Sequence, residues 1–281
     1  MTEAELKTLL PELLTKVIKI AKDAGDIILD VYEKGFEIET KEDESPVTTA
    51  DLAANDHIVS ELNKLSPLFY VLSEESEVMP FDERKKLETY WLVDPLDGTK
   101  EFINKRDNFT VNIALIHQHK SILGVIYAPV SGDSYYAVSG NGSFKEDKAG
   151  LVQSIQAKKM EGEPIFAGSS RHGGGNLRQF LDSAKSHFND YAVETLGSSL
   201  KMCLIAEGKV DLYPRLWYTS EWDTAAAHCI VEEAGGSIVK TDMSPLLYNT
   251  KDSLLNPFFF AIGDNSYDWA KHLPEKMIYS K

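Results

Sequence analysis

From residue 91 to residue 103 the chain reads Trp-Leu-Val-Asp-Pro-Leu-Asp-Gly-Thr-Lys-Glu-Phe-Ile, an apolar strand that runs straight into a pair of carboxylates. Pro95 fixes φ and carries no N–H. The chain is therefore expected to turn there, with the Leu96 carbonyl swinging toward the same point as Asp94 and Asp97. Hard oxygen donors converging in this way suit Mg²⁺. Gly98 and Thr99 follow where a helix can begin, and the free N–H groups of a first helical turn attract a phosphoryl oxygen. The segment asks for a fold that collects ligands at the end of a buried strand, and it points to metal-assisted phosphate chemistry.

The rest of the chain supplies such a fold. Leu13, Val17, Ile20, Ala21, Ala24, Ile28 and Val31 recur at helical spacing, which predicts a long amphipathic helix with Pro11 in its first turn and Gly35 past its end. A charged loop over 37–45 is expected next, then a helix over about 50–64 and a buried strand over 69–72 that stops at Ser73-Glu74-Glu75. After residue 103, alternation over 110–116, an apolar run over 122–128 and a strand over 134–138 before Gly140-Asn141-Gly142 predict an antiparallel meander. From residue 165 short strands alternate with helical patterns. The chain thus reads as an α+β half, residues 1–150, and an α/β half, residues 151–281, divided in the polar stretch over 147–164.

Composition narrows the partner. With 281 residues and 43% hydrophobic content the chain can bury a large core. A formal charge of −15 argues against a nucleic-acid polymer, which needs clustered Lys and Arg, but leaves room for a small phosphorylated substrate beside a cation. Residues 1–14 show no signal-peptide pattern, and no apolar run approaches the roughly 18–20 residues that span a bilayer. Cys203 and Cys229 lack metal-type spacing and read as buried reduced thiols. A cytoplasmic protein is expected, with any membrane association peripheral, at the inner membrane. Helix faces that pack in a core and those that pack on a second copy look alike here, so a homo-oligomer is compatible with the sequence but not readable from it.

Four acidic residues sit where elements begin or end: Glu74, Asp94, Asp97 and Asp223. Read singly, Asp223 at the start of the Glu221-Trp222-Asp223-Thr224 helix is an ordinary capping aspartate, and Glu74-Glu75 an ordinary solvated loop. Gathered in one cleft, four carboxylates repel one another and raise their pKa values unless cations neutralise them.

Glu74-Glu75, Asp94-Pro95-Leu96-Asp97-Gly98-Thr99 and Trp222-Asp223 in a Trp-Asp-x-Ala-Ala helix, in that order, resemble the motif set of the inositol monophosphatase superfamily. The resemblance spans nearly the whole chain, from Ser45-Pro46-Val47-Thr48-Thr49-Ala50-Asp51 to Leu254-Leu255-Asn256-Pro257. Within it, Val71-Leu72-Ser73-Glu74-Glu75, the run from Asp97 to Ile103, Gly197-Ser198-Ser199-Leu200-Lys201 and Leu212-Tyr213-Pro214-Arg215 look like the 3'(2'),5'-bisphosphate nucleotidase branch of bacterial sulfate assimilation.

The resemblance implies a layered αβαβα sandwich with the metal site between two sub-domains. It implies that Glu74, Asp94 and the Leu96 carbonyl hold one Mg²⁺, that Asp94, Asp97 and Asp223 hold a second, and that Glu74 shares a third with the substrate. Asp51 would accept a hydrogen bond from Thr99, which orients or deprotonates the attacking water; read alone, both are helix-start residues. Gly98 and Thr99 would grip the 3'-phosphate of adenosine 3',5'-bisphosphate or of its sulfated relative PAPS. Ser198, Lys201, Arg215 and His172, with Arg171 a further candidate, would meet the rest of the nucleotide. Inhibition by Li⁺ and Ca²⁺ is implied too.

Three departures stand out. Gly173-Gly174-Gly175 reads as a flexible loop, Ala227 stands where relatives often have glycine, and Glu221 stands where an apolar residue is common, which would put a further negative charge beside the substrate. Two other readings stay open: a phosphatase of inositol monophosphate or a sugar phosphate, and a non-catalytic sensor of divalent cations or nucleotides.

Overall fold

The computed structural model describes residues 3–41, 45–168 and 174–271. Helix α1 (Glu3–Lys34) begins well before the predicted start, and Pro11 lies inside it rather than in its first turn. An interior proline costs ~3 kcal/mol. Leu6 and Leu10, both buried, extend the apolar stripe N-terminally, and at about 1.5–3 kcal/mol each they offset that cost. The helix ends at Gly35, whose φ of +102° and N–H bond to the Val31 carbonyl (3.0 Å) form a left-handed cap.

The charged run predicted as a loop starts and finishes in a ribbon: β1 (Ile38–Thr40) pairs antiparallel with β2 (Pro46–Thr48). Helix α2 (Thr49–Leu62) and β3 (Tyr70–Ser73) follow, then the single turn α3 (Phe81–Arg84), β4 (Thr89–Asp97) and the short α4 (Thr99–Ile103). The meander is β5 (Thr110–His117), β6 (Lys120–Ala128) and β7 (Asp133–Val138). Two strands that period-2 reading had not separated, β8 (Ser143–Glu146) and β9 (Val152–Ile155), extend it. Together β3 to β9 form a seven-stranded sheet in sequence order. Only the pairing of β3 with β4 is parallel.

After the polar stretch the chain adds β10 (Ile165–Gly168), α5 (Gly174–Ala184), β11 (Ala192–Thr195), α6 (Leu200–Ala206), β12 (Leu212–Arg215), α7 (Glu221–Glu233), β13 (Ser237–Lys240) and β14 (Phe259–Ile262). Their five strands pair in the order β11-β10-β12-β14-β13, parallel on one side and antiparallel on the other. Gly174 and Gly175 open α5 rather than extending a loop.

Helices α1 and α2 cover one face of the large sheet, burying Val17, Ala24, Ile58, Trp91 and Val111 together. Helices α6 and α7 fill the space between the sheets, where one core runs from Leu72 and Tyr90 through Ala225, Ala226 and Ile230 to Phe259. Helix α5 covers the small sheet's outer face, with Phe180 edge-on to Phe166 at 5.4 Å. The result is the αβαβα sandwich. Small residues let α7 sit close to the large sheet: a Cβ on Gly124 of β6 would meet the Ala226 carbonyl oxygen at 2.1 Å, and Ser121 Oγ donates to the Ala225 carbonyl at 2.7 Å. Ala227 is buried in the same packing. Among the described residues no helix is long and apolar enough to cross a membrane, and both cysteines are free and buried.

Candidate active site

The Asp-Pro-Leu-Asp segment does not leave its strand. Strand β4 continues to Asp97, and the register against β5 slips between Asp94, opposite Asn112, and Asp97, opposite Thr110. The proline that was expected to make a turn makes a bulge, because the flanking residues stay paired while Pro95 itself donates nothing to the ladder. Gly98 then turns the chain with φ +96° into α4. Asp94 and Leu96 are buried at this bulge, and the Leu96 N–H donates to Asp94 Oδ1 at 3.0 Å.

Three carboxylates meet there. Oxygens of Glu74, just past β3, Asp94 and Asp223 lie within 4.8 Å of one another, and no second such group occurs among the described residues. The indole of Trp222 acts on Glu74 too, lowering its carboxyl pKa against the rise from burial. Asp97 and Leu96 line the same cleft, with Gly98, Thr99, Arg215 and Asp223. One oxygen of Asp97 is held by the Ser199 N–H at 2.5 Å and by Asn112 Nδ2 at 3.4 Å. Ser199 Oγ in turn bonds Asn112 Oδ1 at 2.9 Å and Thr110 Oγ1 at 2.8 Å.

Asp51 and Asp223 are the third residues of α2 and α7, and each serves both a helix cap and the site. Asp51 Oδ2 accepts from the Thr48 N–H (2.8 Å) and Thr48 Oγ1 (2.5 Å), while its Oδ1 accepts from Thr99 Oγ1 at 3.1 Å. Asp223 Oδ2 accepts from the Ser220 N–H at 3.0 Å. These are capping boxes, which satisfy otherwise orphaned N–H groups at a helix start. Thr99 Oγ1 also lies 3.3 Å from the Leu96 carbonyl.

Burial is the main electrostatic fact of the cleft. It pushes Asp94 well above the usual carboxylate range, helped by Glu74, Asp97 and Asp223, and it does the same to Asp223, helped by Asp97 and Glu74. Asp97 is raised to about 6 by burial, against the pull of Lys201 and the Ser199 N–H. Glu74 and Asp51 are raised by burial as well. The cation that Glu74 and Glu75 face is Lys41, with Nζ at 3.0 Å and 2.5 Å from their oxygens. Nothing at sequence level marked it, because one lysine in a glutamate-rich run looks like any solvated charge. Crowded, all-oxygen and partly desolvated, the donor set fits a hard divalent cation.

The second group of candidates is arranged differently. Arg215 lines the cleft and donates from Nη2 to the Tyr218 carbonyl at 3.0 Å, leaving Nε without a partner. Lys201 is buried, with Nζ on the carbonyls of Leu196 (3.1 Å) and Ser198 (2.8 Å), 5.5 Å from the centre of the Tyr213 ring. It lines an adjoining recess with Asp97, Ser198, Tyr213 and Arg215. Ser198 takes a left-handed φ of +47°. His172 and Arg171 lie outside the described residues. Glu221, expected beside the substrate, is buried and turned away: its Oε2 accepts the Asn249 N–H at 2.8 Å. At the mouth of the cleft Trp217 and Tyr218 are exposed, their ring centres 5.8 Å apart.

Comparison with known proteins agrees with this architecture. The 3'(2'),5'-bisphosphate nucleotidase CysQ of Salmonella typhimurium is 44% identical over 249 residues, covering 88% of this chain and 98% of that one. The Haemophilus influenzae CysQ is 39% identical over 266 residues, covering 93% and 97%. The crystal structure of CysQ from Bacteroides thetaiotaomicron superposes with a TM-score of 0.79 at 36% identity, over 90% of this chain and 97% of that one. An IMPase of Thermotoga maritima, at 24% identity and a TM-score of 0.74, shares the fold over 90% of this chain and 92% of its own. The model of the inositol monophosphatase family matches residues 10–272, and the chain belongs to that family.

Proposed function

We propose that this chain is a Mg²⁺-dependent phosphomonoesterase that removes the 3'-phosphate of adenosine 3',5'-bisphosphate, giving AMP and phosphate, and that also accepts PAPS. The observation that carries the reading is the Glu74, Asp94 and Asp223 triad with Asp51 and Thr99 beside it. Curated relatives named 3'(2'),5'-bisphosphate nucleotidases, matched over nearly their full length, support the substrate.

Glu74, Asp94 and the Leu96 carbonyl would hold one Mg²⁺; Asp94, Asp97 and Asp223 a second; and Glu74 would share a third with substrate. Bound there, Mg²⁺ offsets charge on the phosphoryl oxygens and lowers the pKa of water. The chain's own part is proton handling and grip. Thr99 Oγ1, donating to Asp51 Oδ1, keeps its lone pairs for a water proton. Asp51, its pKa raised by burial, is a better proton acceptor near neutrality than an exposed aspartate. Water oxygen bonds to phosphorus as the bond to the 3'-oxygen breaks, and the 3'-oxygen leaves as a hydroxyl after taking a proton from solvent. The Gly98 and Thr99 N–H groups hold the phosphoryl oxygens.

Arg215 would meet the second phosphate. Lys201, with two of its three N–H bonds on carbonyls, would add charge and one free donor; Ser198 and His172 are proposed around the nucleoside. Trp217 and Tyr218 offer flat faces for the base. Li⁺ and Ca²⁺ would inhibit by taking cation positions.

The test is Mg²⁺-dependent phosphate release from adenosine 3',5'-bisphosphate, inositol 1-phosphate and fructose 1,6-bisphosphate by wild type and Asp94→Asn. The nucleotide should be strongly preferred, and the variant should lose at least about a thousandfold in rate, the scale of about 4 kcal/mol in barrier. Preference for inositol 1-phosphate would move the substrate to the other arm of the family, and binding without turnover would leave a sensor.

A further inference from the structure

Arg84 is 1% exposed, although nothing in the chemistry above uses it. It ends α3, in the connection between the strand that leads to Glu74 and the strand that carries Asp94. Its Nη1 donates to Asn249 Oδ1 at 2.5 Å, and its Nη2 to the carbonyls of Asp252 (2.7 Å) and Lys251 (3.4 Å). Asn249 Nδ2 returns a bond to the Arg84 carbonyl at 2.7 Å. The Asn249 backbone N–H donates to Oε2 of Glu221, the first residue of α7, whose own N–H donates to the Leu254 carbonyl at 2.8 Å.

Further along the same segment, Asn256 Nδ2 grips the Ser220 carbonyl (2.7 Å) and Thr224 Oγ1 (3.1 Å), and its N–H grips the Thr219 carbonyl (2.7 Å). Residues 249–256 are therefore a bracket around the start of α7. Arg84 is the clasp that fastens the bracket to the connection between β3 and β4.

A buried guanidinium is a costly way to hold a surface loop, the more so here because Arg84 Nε has no hydrogen-bond partner. What it secures is geometry. The Asp223 carboxylate is tied to the helix cap, so its distance from Glu74 and Asp94 depends on where the first turn of α7 lies.

We infer that Arg84 is a positioning residue: through Asn249 and Glu221 it fixes the first turn of α7 against the β3 to β4 connection, and so sets the spacing of Asp223 from Glu74 and Asp94. The inference rests on the reading of those three carboxylates as a divalent-cation site.

Full-length wild type, Arg84→Met and Arg84→Lys would be titrated with Mg²⁺ by isothermal calorimetry, with phosphate release from adenosine 3',5'-bisphosphate measured in parallel. Arg84→Met, which keeps an unbranched apolar stem and loses the donors, should weaken Mg²⁺ binding tenfold or more. It should raise the Mg²⁺ concentration for half-maximal rate by the same factor and leave KM for the nucleotide at saturating Mg²⁺ within twofold. Arg84→Lys should recover part of the loss.

A folded Arg84→Met with wild-type Mg²⁺ binding and only a lower Tm would overturn the inference and leave Arg84 a structural residue. If Arg84→Met does not fold, Asn249→Gly takes its place: it removes both bonds between Arg84 and the Asn249 side chain yet tolerates the φ of +54° found there. It should weaken Mg²⁺ binding at least fivefold, and unchanged binding in that variant would overturn the inference equally. Should wild type release no phosphate from the nucleotide, the proposed substrate fails while calorimetry still decides the role of Arg84.

Discussion

In the proposed reaction the Asp51 and Thr99 contact is what would separate a hydrolytic site from a mere cation site. Thr99 Oγ1 sits 3.1 Å from Asp51 Oδ1, and the other Asp51 oxygen is occupied by Thr48. Removing the hydroxyl in Thr99→Ala should lower kcat about 10²–10⁴-fold, the usual range for a positioned acid or base, and leave Mg²⁺ affinity by calorimetry within about threefold. Loss of Mg²⁺ binding in that variant would assign Thr99 to the cation instead. Residue type and position marked Glu74, Asp94, Asp97 and Asp223 as candidates at element ends, and the resemblance joined them into one site; the structure brings Glu74, Asp94 and Asp223 together with Asp97 in the same cleft. Lys41, Asn112, Ser199 and Arg84 carry no such mark. Each takes its place through contacts with residues far along the chain, which no local pattern encodes.

Periodicity was enough for α1, where one face is wet, while the meander, whose strands β5 to β7 are buried on both faces, was legible from its apolar runs and the Gly140-Asn141-Gly142 turn. The reading failed where punctuating residues lie inside an element or where the element is very short. The Asp-Pro-Leu-Asp segment read as a turn because proline and glycine usually punctuate, yet pairing on either side of Pro95 kept it in β4 as a bulge. Ribbon β1 and β2 was hidden for a different reason: its three-residue strands are too short to alternate. Between elements, the close approach of α7 to β6 makes a specific demand. Gly124→Ala would drive a methyl group into the Ala226 carbonyl, and overpacking of this kind costs about 1–3 kcal/mol or more. Thermal unfolding should show a clear drop in Tm for Gly124→Ala, whereas Gly35→Ala, with nothing near its Cβ, should show only the smaller strain of a left-handed φ.

For the molecule as a whole, the crowded carboxylates link stability to pH and cation. Their folded pKa values are raised, Asp97 to about 6, so between about pH 4 and pH 6 the metal-free folded chain holds protons that the unfolded chain has released. Their contribution to stability therefore falls as pH rises through that window. Mg²⁺ should raise Tm more at pH 7.5 than at pH 5.5, and Asp94→Asn should shrink the difference; an equal Mg²⁺ effect at both values would contradict the linkage. The halves of the chain share the core between the sheets, from Leu72 to Phe259, and a single calorimetric transition is expected rather than two.

Working sites are commonly where a protein sacrifices stability for activity. The capping boxes at Asp51 and Asp223 soften that conflict, since each carboxylate secures its helix and also serves the site, Asp51 on Thr99 and Asp223 beside Glu74 and Asp94. Asparagine can keep the carbonyl half of that arrangement and alanine cannot. Selection for a more heat-resistant variant would therefore retain aspartate or asparagine at both positions for reasons unrelated to catalysis, and a descendant that lost its activity would keep these two caps longer than it kept Asp94.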